Sequence, residues 1–160
     1  MAKLCLGTVQ FGMKYGINNA IKRQPIWEES FEMLDYAIAN GINVIDTARA
    51  YGEAELILGE YFKSHSSDGL QIISKLRPNV IEFGEKDVYG VIAREVEDSL
   101  RRMNLSKLDG YLLHTPEYVY NSEVVDALIK IKEKGYVDNI GVSIYDDENR
   151  INCLYENLTY

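Results

Sequence analysis

Four apolar runs in this chain each stop at a polar residue of a type that does chemistry. Ile42-Asn43-Val44-Ile45 stops at Asp46, Leu70-Gln71-Ile72-Ile73-Ser74 at Lys75, Tyr111-Leu112-Leu113 at His114, and Ile140-Gly141-Val142 at Ser143. Tyr51 follows five residues after Asp46. If the runs are parallel strands of an α/β fold, their carboxyl ends share one side of the sheet, where ligands and catalysts collect. Asp46, Tyr51, Lys75, His114 and Ser143, far apart in sequence, then converge on one pocket. The set suits carbonyl reduction better than any other chemistry.

Each residue also has a plainer reading. Tyr51 is one of twelve tyrosines, most of which serve as core or surface filler. A strand-end aspartate can cap the helix that follows. Lys75, before Leu76-Arg77-Pro78, reads equally as a solvated strand-end charge, and His114, before Thr115-Pro116, as an ordinary loop histidine. What weighs against coincidence is their joint occurrence in order.

The elements that must position them alternate strand and helix five times. Leu4 to Thr8 is a short strand, followed by a glycine-rich loop with Gly12 and Gly16. Pro25 to Asn40 reads as a helix, with Phe31, Leu34 and Ile38 on one face and Gly41 at its end. Strand two is Ile42 to Asp46. A helix from about Gly52 to Ser64 carries Leu56, Ile57 and Phe62, and a polar loop containing His65 follows. Strand three is Leu70 to Lys75. A helix from Asp87 to Met103 repeats Val88, Ile92, Val96 and Met103 at helical spacing. Strand four is Leu108 to His114. The helix Ser122 to Lys134 aligns Val125, Leu128 and Ile131 and stops at Gly135. Strand five is Tyr136 to Ile144. Asp146 can cap a last helix bearing Ile151, Leu154 and Leu158, and the run Asp146-Asp147-Glu148 reads as that helix's first turn rather than a metal site. No linker divides residues 1–160, so one domain is expected. Strict alternation implies a mostly parallel sheet with right-handed crossovers. Two architectures satisfy it. An open, doubly wound five-strand sheet fits the length; a TIM barrel needs eight units and typically about 250 residues.

The segment Asp46-Thr47-Ala48-Arg49-Ala50-Tyr51-Gly52 resembles the aldo-keto reductases, whose motif here is Asp-Thr-Ala, two residues, Tyr-Gly. Ile72-Ile73-Ser74-Lys75 is similar to their catalytic lysine strand. Leu108-Asp109-Gly110-Tyr111-Leu112-Leu113-His114 is similar to their Leu-Asp…Leu-Leu-His strand, and Ile140-Gly141-Val142-Ser143 to their Ile-Gly-Val-Ser strand. The resemblance runs from Leu4 to Tyr145. It implies a TIM-barrel type (β/α) repeat with a parallel sheet, incomplete here at about five of eight units, in place of the open sheet that length favours. It implies NADP(H), with NAD(H) possible, no metal, and a small carbonyl substrate. It implies that Gly7 and Thr8 lie near the nicotinamide ribose and that Ser143 bonds the nicotinamide carboxamide.

Physical chemistry supports those roles. An oxygen that gains negative charge needs a proton donor within reach, and Tyr51 is the candidate. A phenol's ordinary pKa is about 10, and a nearby ammonium favours its ionised form. Lys75 supplies the ammonium, Asp46 holds it in place, and His114 donates to the substrate oxygen. Two departures from the family pattern stand out: Ile144 where many relatives have Asn, and Arg49 where Pro or Glu is common. The sixth to eighth units, which in the family carry most of the cofactor cradle, have no counterpart. From this we expect truncation, self-association through exposed sheet edges, and, as the competing function, a non-catalytic binding or regulatory protein on a reductase scaffold. A receiver or flavodoxin-like module fits poorly. Receivers need an aspartate at the end of strand three, where Lys75 stands, and Val9 to Gly16 makes a weak phosphate loop.

Composition bounds the partners. The 160 residues are 46% hydrophobic and 26% charged, ordinary for a globular domain. A formal charge of −8 argues against a nucleic-acid surface, which needs a basic stripe. No apolar run approaches the roughly 20 residues of a membrane span. The amino terminus lacks the apolar core of a signal peptide. Cys5 and Cys153 read as reduced thiols of a cytoplasmic protein.

Overall fold

A computed structural model of the chain describes residues 4–16, 23–82 and 84–144. Strand β1 (Cys5–Gly7) leads into a one-turn helix, α1 (Val9–Gly12), where sequence reading expects only a glycine-rich loop. Then come α2 (Trp27–Ala39), β2 (Val44–Asp46), α3 (Ala54–Phe62), β3 (Gln71–Leu76), α4 (Val88–Met103) and β4 (Leu108–Leu113). A short 3-10 helix (Pro116–Tyr120), α5 (Ser122–Glu133) and β5 (Val137–Val142) complete the described order. The expected last helix, with Asp146, Ile151, Leu154, Leu158 and Cys153, lies outside the described residues.

Local chemistry explains the helix boundaries. At the end of α2, Gly41 adopts φ +84°, a conformation that suits glycine. This lets its N–H reach the Ile38 carbonyl while the Ile42 N–H reaches that of Ala37, closing the helix with two reversed bonds. Helix α4 starts where the Asp87 carboxylate accepts from the Gly90 N–H at 2.9 Å. It ends at Asn104 in the left-handed region, with Arg101 and Arg102 in its last turn, where cations offset the helix dipole. Asn121 caps α5 in the same way, accepting from the Glu123 N–H at 3.0 Å.

The five strands are all parallel and lie in sequence order, β1-β2-β3-β4-β5. This order decides between the two architectures. A doubly wound sheet reverses direction at a switch point and places an early strand in its middle. Here each crossover steps one strand further in the same sense, as in a TIM barrel. The doubly wound sheet that length favours is therefore overturned, and the chain forms a barrel-type sheet of five strands, incomplete against the eight of a full barrel. Among the described residues β1 and β5 are its edges.

The core lies between the sheet and its layer of helices. Ile45, Ile72, Leu76, Tyr111 and Leu113 from the strands pack with Leu34, Ile57, Leu58, Ile92, Val96, Leu128 and Ile131 from the helices. Two expectations shift. Leu56, read as an apolar position of α3, is exposed, while Glu55 beside it is buried. His65, whose place in a polar loop leads one to expect a solvated side chain, instead stacks its ring on Tyr61 at 4.0 Å between centroids, with its Nδ1 3.0 Å from the Tyr61 carbonyl. No helix among the described residues is long and apolar enough to cross a membrane.

Candidate active site

Lys75 organises the site. Parallel pairing sets Asp46 beside Ile73, and Lys75, two residues on, shares that strand face by the period-two alternation of side chains. The lysine is only 3% exposed, which rules out the solvated-charge reading. A buried ammonium needs hydrogen-bond partners and a counter-charge, and the structure supplies both. Its Nζ donates to Asp46 Oδ1 at 2.6 Å, to the Thr47 carbonyl at 3.0 Å and to the Tyr51 hydroxyl at 3.4 Å. It also lies 5.0 Å from the Tyr51 ring centroid. His114 meets the same ring edge-on, with centroids 5.8 Å apart and planes at 84°. Four of the five residues singled out in the sequence therefore lie together. Burial, followed by the Lys75 charge, lowers the His114 pKa, with Asp46 opposing. Its imidazole is thereby held neutral near pH 7, the form that can donate from one nitrogen.

Tyr51 sits in the turn between β2 and α3, and close backbone contact fixes that turn. The Gly12 backbone approaches so closely that a Cβ there would lie 1.6 Å from the Tyr51 carbonyl oxygen. Gly52 adopts φ +58°, and its own Cβ would meet the Gly12 carbonyl oxygen at 2.3 Å. The two glycines let α1 and the Tyr51 turn touch without side chains between them. Arg49, whose role is opaque in sequence, ties the turn to α4 by donating from Nε and Nη2 to Asp98 Oδ2 at 3.2 and 3.0 Å.

Of the remaining expected residues, Gly7 and Ser143 fall at the rim, and Thr8 lies beneath it. Gly7 ends β1 beside Asp46, and a Cβ on it would meet nothing within 4 Å. That open space is compatible with a ligand. Thr8 is fully buried, and both its N–H and its hydroxyl donate to the Asp46 carbonyl, at 3.0 and 3.1 Å. Its side chain tethers β1 to β2 and faces away from solvent. Ser143 follows β5, its N–H bonded to the Leu113 carbonyl at 2.9 Å, which places it one strand over from the end of β4. Cys5 is a free thiol lower on β1. Among the described residues no group of three or more His, Cys, Asp or Glu side chains is arranged to hold a metal.

Sequence reading missed the layer behind these residues. Glu55 on α3 is 1% exposed. It accepts from Ser74 Oγ at 2.8 Å and from Arg102 Nε at 3.1 Å. The signal was present: Glu55 precedes Leu58 and Phe62 by three and seven residues, a charge set in an apolar helical stripe. Gly59 permits the arrangement, since a Cβ there would meet the Arg102 carbonyl oxygen at 2.0 Å. Helices α3 and α4 thus cross in direct backbone contact.

The fold defines a β/α-barrel-type scaffold. The profile of the aldo/keto reductase family matches residues 3–156, and the chain belongs to that family. It is 30% identical over 122 residues to D-arabinose 1-dehydrogenase of Saccharomyces cerevisiae, covering 71% of this chain and 36% of that protein. It is 30% identical over 135 residues to the chloroplastic pyridoxal reductase of Arabidopsis thaliana, covering 78% and 36%. Among solved structures, an aldo-keto reductase from Klebsiella pneumoniae in complex with NADPH superposes with a TM-score of 0.64 at 30% identity, over 89% of this chain and 45% of that one. The chain spans less than half the length of the curated relatives it matches.

Proposed function

We propose that this chain carries the proton-transfer set of an NADP(H)-dependent oxidoreductase that reduces an aldehyde or ketone to an alcohol. The observation that carries the reading is the buried Lys75 ammonium, held by Asp46 at 2.6 Å and facing the Tyr51 hydroxyl at 3.4 Å. When bound, the nicotinamide supplies the hydride; the chain supplies position and charge. Tyr51 donates its proton to the substrate oxygen, and the Lys75 ammonium stabilises the phenolate left behind. Asp46 keeps Lys75 oriented, and neutral His114 donates a hydrogen bond that aligns the carbonyl. Gly7, with open space above it, and Ser143 suit the nicotinamide end of the cofactor. Asp46 lines the same rim. Thr8 supports this end only indirectly, because its hydroxyl is committed to the Asp46 carbonyl.

The relatives' names cover a sugar and a pyridoxal substrate, so the substrate class proposed is a small carbonyl compound, without nucleic acid or membrane. The test is titration of the chain with NADPH by cofactor fluorescence, with a generic aldehyde assay on the wild type and Tyr51→Phe. Saturable binding with turnover that Tyr51→Phe abolishes is expected. Binding without turnover selects the non-catalytic alternative, and no binding refutes the enzymatic reading.

A further inference from the structure

Each member of the Tyr51–Lys75 pair has a chain neighbour held by one largely buried ion pair. Gly52, after Tyr51, gives its carbonyl to Arg102 Nη2 at 3.0 Å. Ser74, before Lys75, gives its hydroxyl proton to Glu55 Oε1 at 2.8 Å. Arg102 and Glu55 are joined directly, Nε to Oε2 at 3.1 Å, with side-chain exposures of 17% and 1%. The path from one functional residue to the other is thus Tyr51–Gly52, Arg102, Glu55, Ser74–Lys75, and every link is a hydrogen bond or a peptide bond. Helix α4 supplies Arg102, α3 supplies Glu55, and the Gly59 crossing brings them together.

Stability alone does not account for such a pair. A buried ion pair often gains nothing over an apolar pair of equal volume, because desolvation offsets the attraction. What a planar guanidinium and a two-oxygen carboxylate do provide is fixed direction: each binds its partner with one atom and a neighbouring segment with another. Displacing either segment strains both bonds. Burial and the Arg49 charge lower the Arg102 pKa, but a guanidinium remains cationic across the working range.

We infer that Glu55 and Arg102 are positioning residues that set the distance between the Tyr51 phenol and the Lys75 ammonium, acting through Gly52 and Ser74. The inference rests on the proposed role of that pair in proton transfer, but its test needs no substrate. In the isotope-labelled chain, the nuclear Overhauser contact between the Tyr51 ring protons and the Lys75 ε-methylene is recorded, with Tyr51→Phe used for assignment. The variants are Glu55→Gln, Arg102→Met and Ser74→Ala; the last leaves no buried charge behind if the others fail to fold. Leu128→Ala, in the core behind α5, serves as a destabilised control. Loss or marked weakening of the contact in the folded clamp variants, with the contact kept in the control, is expected. A contact of wild-type strength in folded Ser74→Ala, whatever the fall in melting temperature, would overturn the inference. Absence of carbonyl turnover in the wild type would sink the functional reading while leaving this result decidable.

Discussion

Removing the charge of Asp46 tests the site most directly. In Asp46→Asn the Lys75 ammonium keeps its place, with a side chain 4% exposed, but loses its one anionic ligand among the described residues. Breaking a buried ion pair in this way typically costs about 3–5 kcal/mol. Here the cost is reduced because the Thr47 carbonyl and the Tyr51 hydroxyl remain as acceptors, at 3.0 and 3.4 Å. We expect about 2–3 kcal/mol. Lys75→Met is the mirror change and is milder, because the Asp46 side chain is 30% exposed and regains water when its partner goes. We expect about 1 kcal/mol, the range of an ordinary lost hydrogen bond. The assay is urea unfolding followed by far-ultraviolet circular dichroism on both single variants and the double variant. For a slope near 2 kcal/mol per molar, Asp46→Asn lowers the midpoint by about 1–1.5 M. The double variant is expected to be more stable than Asp46→Asn alone, because it leaves no unpaired buried charge. Equal losses in the two singles, or a larger loss in Lys75→Met, would show that the lysine is not the desolvated partner, and the account of the site would fail.

Other outcomes follow from single positions. Gly59→Ala forces a Cβ to within 2.0 Å of the Arg102 carbonyl oxygen, so about 1–3 kcal/mol or more of stability should go. Gly7→Ala should leave the melting temperature unchanged, since the space is open, but weaken NADPH binding if the cofactor lies there; unchanged affinity would remove Gly7 from the proposed cradle. The His114 pKa lies below its ordinary 6.5 in the folded chain. Below that ordinary value the unfolded state binds the extra proton, so stability is full above about pH 6.5 and falls as pH drops toward the folded pKa. His114→Gln should flatten that part of the pH–stability curve, and an unchanged slope would refute the assignment. The edges of β1 and β5 lead us to expect dimers or larger species of the isolated chain in light scattering; a monodisperse monomer would refute this.

Much of the site was legible because it is built from strand ends. Asp46, Lys75 and His114 each close an apolar run, and a parallel sheet brings such ends to one side whatever the loops do. Helix boundaries were readable where a single residue decides them, as at Gly41 after α2 and Asp87 before α4. Strand order was not readable from alternation, since a doubly wound sheet and a barrel share the pattern; hydrogen-bond pairing in three dimensions distinguished them. Nor did sequence show that Lys75 is buried, because burial depends on what covers a strand end. The family resemblance implies that Thr8 lies near the nicotinamide ribose, yet its hydroxyl is turned to the Asp46 carbonyl by the β1–β2 pairing. The layer of Glu55, Ser74 and Arg102 comes from three elements up to 47 residues apart. The sequence by itself determined the chemistry available and the side of the sheet that carries it. Tertiary structure decided the winding of the sheet, the desolvation of the lysine and the polar layer beneath it, because those depend on contacts between segments that no local pattern encodes.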